Sequence, residues 1–242
     1  MTDIDSIYNQ LWLNAAEKIA GGYYELDPLI NSAEDTRRGI TVLSYLKQDN
    51  SNVSRNIVEF IRRLASLEPE QYFYPESELH LTILSIIHCE ENFSLSDIDI
   101  PSYKSVFELA IKNIGPIKIN FRGVTASPGC IMVQGYPVNE QLEALREQLR
   151  ASFGNSSLYT VMDHRYKLIT AHSTIARFHM PLRNNQKLLD FLSDYRTYDF
   201  GMLELKDISL IFNGWYQHMS ETKFLARYEL NNSLYEYTKA SN

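Results

Sequence analysis

Apolar residues recur along the chain with two alternating periods. In Ile4–Ala20, the residues Ile7, Leu11, Leu13, Ala16 and Ile19 fall mostly on one side of a helix. The stretch GGYYELDPLINSAEDTRRG, rich in Gly, Asp, Asn and Pro, predicts a loop. A β-branched run predicts a strand over 40–46, and Val53, Ile57, Phe60, Ile61 and Leu64 predict a helix over 51–67. YFYPESE ends that helix and leads into ELHLTILSII at 78–87, an apolar strand. A helix over 103–114 and a strand over 117–126 follow, and SPG turns the chain into a strand at Cys130–Pro137. The helix predicted over 139–153 has an acidic first turn, which suits the positive end of its dipole. A strand over 167–178, a helix over 184–195 and strands over 203–213 and 221–230 complete the pattern, the last two as a hairpin around GWYQHMS.

Side by side, these elements repeat: strand, helix, strand, helix, strand occurs twice. Forty residues separate Ile40 from His80, and forty-two separate Cys130 from His172. The repeat predicts two βα lobes of similar build sharing a cleft. No low-complexity tract or linker divides the chain into independent domains.

The 242 residues suffice for one large domain or two small fused ones, and 44% hydrophobic with 22% charged residues is ordinary for a globular chain. A formal net charge of −7 argues against a grip on long duplex nucleic acid, which needs a basic surface; a small anion met by a few local cations fits. Two cysteines, Cys89 and Cys130, make no disulfide framework. The acidic start MTDIDSIYNQ is unlike a signal peptide, and no apolar run approaches a membrane span. The expectation is a cytoplasmic protein without a membrane partner.

The chemistry lies in two short strands. Residues i and i+2 share a strand face, so His80 pairs with Thr82, and His172 pairs with Thr174. Taken singly, each reads as a packed core histidine. His218 and Ser220, in the polar turn QHMSE, share the spacing and carry little weight. The two strand motifs are each followed by isoleucine, lie on apolar strands and occupy equivalent places in the repeat. Two imidazoles and two hydroxyls around one cleft suit a tetrahedral anion. One imidazole can take a proton and the other give one, while each hydroxyl donates to a phosphate oxygen. This scheme needs no metal and no cofactor, and the six histidines form no HExxH or paired-cysteine zinc pattern.

HLTI and HSTI resemble the paired His-x-Thr-hydrophobic signatures of the 2H phosphoesterase superfamily, which includes RNA 2′,3′-cyclic phosphodiesterases, historically called 2′-5′ RNA ligases. The resemblance covers roughly 38–230. It takes in YPESELHLTIL, FRGVTASPGCIMVQGYP, HSTIARF and the closing ISLIFNGWYQHMSETKFLARYEL. It implies an α+β, bilobal fold of duplicated βα lobes with pseudo-twofold symmetry and two mostly antiparallel sheets around a central cleft. By matching motif positions it implies His80 and His172 as the acid–base pair and Thr82 and Thr174 as phosphate-binding residues. The organisation expected is a helical extension over 1–36 and a single bilobal domain over 37–242. That extension, and Ala171 where a proline often precedes the second histidine, are departures from the pattern.

Arg177 matches a basic residue that often follows the second motif, but strict alternation puts it opposite His172 unless the strand ends or bulges. Tyr216, with Tyr72, Tyr74 and Trp215, is either a platform for a base or a packing residue. Arg37 and Arg38 read as surface charge, and Asp163 with His164 as a structural loop pair. The expected activity is a metal-independent phosphodiesterase acting on a cyclic 2′,3′-type or a 2′-5′ linkage of a nucleotide or RNA end. The alternatives are a module that binds such an end without hydrolysing it and a metabolite enzyme on the same fold. Neither substrate, oligomeric state nor the order in which the histidines act follows from the residues.

Overall fold

In a computed structural model, residues 4–30, 32–47, 51–164 and 167–230 are described. Positions 1–3 of the expected extension and 231–242 of the expected bilobal domain lie outside them. The elements run α1 (Ile4–Ala20), β1 (Arg37–Tyr45), α2 (Val53–Leu67), β2 (Tyr72–Phe73), β3 (His80–Glu91), α3 (Ile100–Ala110), β4 (Ile117–Ser127), β5 (Cys130–Pro137), α4 (Gln141–Gly154), β6 (Ser173–Arg177), α5 (Asn185–Asp194), β7 (Asp199–Leu205), β8 (Asp207–Gly214) and β9 (Lys223–Glu229).

The strands form two sheets, ordered β3-β1-β8-β9 and β2-β6-β5-β4-β7, and every strand pair is antiparallel. Set the orders β3-β1-β8-β9 and β6-β5-β4-β7 side by side and the pseudo-symmetry appears: β3 corresponds to β6, β1 to β5 and β8 to β4. Each lobe is nevertheless not a contiguous half of the chain. The strand that ends the first repeat, β4, pairs with β5 in the second sheet, while β8 returns to pair with β1 in the first.

Helices cover the outer faces by the usual rule of one apolar stripe. Val53, Ile57, Phe60, Ile61 and Leu64 bury one side of α2. Tyr8, Ala15 and Ile19 bury one side of α1, with Ala15 and Ile19 joining the same apolar core as both sheets. Ile100 and Pro101 open α3 earlier than the 103–114 pattern predicts, because proline fits the first turn; Asn113, at φ 64°, turns the chain away after it.

Three strands differ from the sequence pattern. The predicted strand over 203–213 is two, β7 and β8, which belong to different sheets. A continuous half-apolar run does not reveal that its ends pair with β4 and β1 respectively. Tyr72 and Phe73, within the expected break, form β2 at the edge beside Arg177 and Ala176. The strand predicted over 167–178 shrinks to β6, because side chains claim the backbone ahead of it. The Arg146 guanidinium donates to the carbonyls of Ile169 and Thr170 at 2.9 and 2.7 Å, and the Tyr8 hydroxyl accepts the Ala171 N–H at 3.2 Å. No helix among the described residues is long and apolar enough to cross a membrane.

Candidate active site

A cleft of about 270 Å³ opens between the sheets, and His80, Thr82, His172, Thr174 and Arg177 all line it. The two motifs that the sequence separates by some ninety residues therefore share one cavity. His80 opens β3, while His172 immediately precedes β6.

His80 is 7% exposed, with Tyr45 and Tyr74 set edge-on to its ring at centroid distances of 6.4 and 6.3 Å. Its Nδ1 lies 2.7 Å from the Glu78 carbonyl. A carbonyl only accepts, so Nδ1 carries the proton and Nε2 of the neutral ring keeps its lone pair. Burial pulls the pKa of His80 below the ordinary histidine value, and Arg177 adds to the effect against the opposing pull of the Glu78 carbonyl. His172 is half-buried, and its Nδ1 shares a 2.8 Å hydrogen bond with the Thr170 hydroxyl. Burial first, then the positive charges of Arg146, His80 and Arg177, push its pKa down to about 4.

Arg177 reaches the cleft because β6 bulges. Against β5, Ile131 pairs with Ala176 but Met132 pairs with Thr174, so Ile175 is an extra residue. One extra residue inverts the alternation beyond it. Arg177 thereby joins the face of His172 and Thr174. The first motif carries the same device: Val42 pairs with Leu84 and Leu43 with Thr82, leaving Ile83 extra. Ser85 consequently stands where Arg177 stands in the other lobe, and it too lines the cleft. A further shift, between Ile40 and Thr41, leaves Ile86 extra and turns His88 inward. Thr82, Ser85 and His88 are the half-buried positions in a strand otherwise closed up to Ile87.

The Arg177 Nε donates to the Tyr74 hydroxyl at 3.0 Å, and its guanidinium lies 5.5 Å from the centre of the Tyr216 ring. Tyr216 itself is 3% exposed, donates its hydroxyl to Asp27 and accepts from Arg37 at 3.0 Å. It sits under Arg177 and outside the cleft lining, whereas its neighbours Trp215 and Gln217 line the cleft. Arg37 is thus no free surface charge: Asp35 chelates it at 2.8 and 2.9 Å. His218 holds Tyr72 and Glu78 away from the cleft, at 3.1 and 3.5 Å.

Sequence reasoning missed Ser85 and His88, whose inward turn depends on the bulges, and two supports, Arg146 and Tyr8. Asp163 accepts from Arg150 at 2.6 Å and from the Leu168 N–H at 3.2 Å, as a loop-bracing residue would, yet it also lines the cleft. His164 stacks on His88 at 5.5 Å, and both rings line the cleft. No group of three or more His, Cys, Asp and Glu side chains among the described residues is arranged to hold a metal ion.

No protein-family model matches the chain, and no curated protein sequence is significantly similar to it. Solved structures do match in fold. TT0787 of Thermus thermophilus is 17% identical with a TM-score of 0.56, over 80% of this chain and 97% of that one. LigT of E. coli, complexed with 3′-AMP, is 14% identical with a TM-score of 0.53, over 81% and 99%. ATU0111 of Agrobacterium tumefaciens, a conserved protein of unknown function, is 17% identical with a TM-score of 0.55, over 87% and 98%. The chain has the fold that these proteins share, with two antiparallel sheets enclosing a cleft, as the 2H phosphoesterase resemblance implies.

Proposed function

We propose that the protein is a metal-independent phosphodiesterase that opens a cyclic 2′,3′-type phosphate or cleaves a 2′-5′ linkage of a nucleotide or RNA end. The observation that carries this reading is the meeting of both His-x-Thr units, with Arg177, in one cleft. That a LigT of the same fold holds 3′-AMP supports a nucleotide as ligand here. The formal net charge of −7, with no overall basic excess, favours a small or terminal substrate over a long duplex. The setting we propose is cytoplasmic.

In the cyclic case one ring P–O bond breaks and one P–O bond to water forms. His80, with Nδ1–H engaged by Glu78, offers Nε2 as the base that takes a proton from the attacking water. His172 gives a proton to the departing ribose oxygen. A phosphate anion beside it favours the charged imidazole and so counteracts its low pKa once substrate is bound. Thr82, Thr174 and the Arg177 guanidinium donate to the non-bridging oxygens, where negative charge resides throughout.

The test is a hydrolysis panel of 2′,3′-cyclic nucleotides, cyclic ADP-ribose phosphate and 2′-5′ oligonucleotides. On whichever substrate is turned over, His80→Ala and His172→Ala should each lose roughly 10²-fold or more, the scale of one acid or base step. Added chelator should leave the wild-type rate unchanged. Wild-type rates in either single variant would sink the mechanism, and tight binding with no product would favour the non-hydrolytic module.

A further inference from the structure

Tyr8, on α1, is 1% exposed, and its hydroxyl is fully used. It donates to the Gly135 carbonyl at 3.1 Å and accepts from the N–H groups of Gly135 and Ala171, both at 3.2 Å. A phenol has one donor and two acceptor sites, so none is left over. All three bonds go to backbone, on two segments distant in sequence from the helix.

Their location gives them meaning. The β5–β6 ladder runs from Cys130 opposite Arg177 to Val133 opposite Ser173. Two residues further along each segment, Gly135 would face Ala171. There the phenol stands between the two amides instead. The segments nonetheless touch: a Cβ on Gly135 would lie 1.9 Å from the Ala171 oxygen. Ala171 is the residue immediately before His172. A second bond fixes the helix nearby, the Thr125 hydroxyl donating to the Tyr8 carbonyl at 3.1 Å.

We propose that Tyr8 is a positioning residue: its hydroxyl, inserted where the β5–β6 ladder ends, fixes the backbone just before His172 and so aims that imidazole into the cleft. The N-terminal helix thereby becomes part of the machinery. Only the kinetic readout rests on the phosphodiesterase reading above.

The experiment compares full-length Tyr8→Phe and Thr125→Val with wild type, by NMR of the histidine rings and by turnover of whichever panel substrate is hydrolysed. In Tyr8→Phe the His172 ring resonances should move while those of His80 stay. A misaimed acid or base should lower kcat by about tenfold or more with KM within about twofold. Thr125→Val loosens α1 without touching Ala171, so it should leave kcat and the His172 ring near wild type. An unmoved His172 ring in Tyr8→Phe, or an equal kcat loss in Thr125→Val, overturns the proposal. In the wild type the Ala171 amide should resist hydrogen exchange although it lies outside a strand; fast exchange there overturns the proposal even if Tyr8→Phe does not fold. The ring spectra and the exchange need no substrate, so they decide the role of Tyr8 even if the phosphodiesterase reading fails.

Discussion

At the residue scale, the cleft favours neutral imidazoles. His80 and His172 are both held below the ordinary histidine value, His172 at about 4. The profile of kcat/KM reports the free protein. Its optimum should therefore fall below about pH 6.5, the unperturbed histidine value, and an optimum above neutrality would contradict the assignment. Arg177 contributes to both depressions. Arg177→Met should move the kcat/KM profile to higher pH and raise KM by about tenfold, since the charge-assisted contact to phosphate proposed for it is lost. Stability carries the same signature. The native state holds His172 neutral while the unfolded chain protonates near pH 6.5, so the unfolded state binds more protons in that interval. Stability should fall as pH drops from about 6.5 towards 4. Denaturant midpoints for His172→Asn should show a shallower fall over that range.

Element by element, the sequence discloses which residue types matter better than it discloses which way they face. Both His-x-Thr units were legible because His80 with Thr82, and His172 with Thr174, lie ahead of the irregularities. Arg177 and Ser85 lie beyond them, and Ile175 and Ile83 resemble any other strand residue. A bulge belongs to two strands jointly, so one strand's pattern does not announce it. The bounds of helix α1 were legible but its buried side was not: Leu13 is 68% exposed, whereas Tyr8 and Ala15, which the apolar pattern passes over, are buried. The use of Tyr8 was hidden because its partners lie on β5 and beside His172. Tyr216 was read as a stacking candidate on type alone, and its burial beneath Arg177 follows from contacts with Asp27 and Arg37 that sequence distance hides. The contact between Gly135 and Ala171 gives this scale its prediction. Gly135→Ala puts a methyl into the Ala171 carbonyl, and overpacking of this kind costs about 1–3 kcal/mol. A denaturation curve matching wild type would show that the two segments are not in contact.

Across the whole molecule, one side chain ties the halves together. Arg146, 1% exposed on α4, donates to the carbonyls of Thr82 and Ile83 in one motif and of Ile169 and Thr170 ahead of the other. Burial pushes its pKa down to about 10, which leaves it charged at neutral pH. Arg146→Leu leaves buried carbonyls unanswered, at about 1–3 kcal/mol for each such group, so unfolding free energy should fall by at least about 2 kcal/mol. A loss below about 0.5 kcal/mol in urea denaturation, the size of an ordinary surface change, would sink this account. The exchange of β4 and β8 between the sheets has a consequence in time as well as in space. β1 waits for β8, whose partners along it run from Arg38 with Gly214 to Leu43 with Ser209. Such pairings close very long loops, and chains dominated by them fold slowly. A growing polypeptide can pair β1 with β3 early, but the first sheet stays a two-stranded ribbon until the chain has passed Gly214. Two-stranded ribbons are marginal in water. The cleft is therefore assembled late, and the polypeptide becomes competent only after synthesis has passed Gly214, well beyond both histidine motifs.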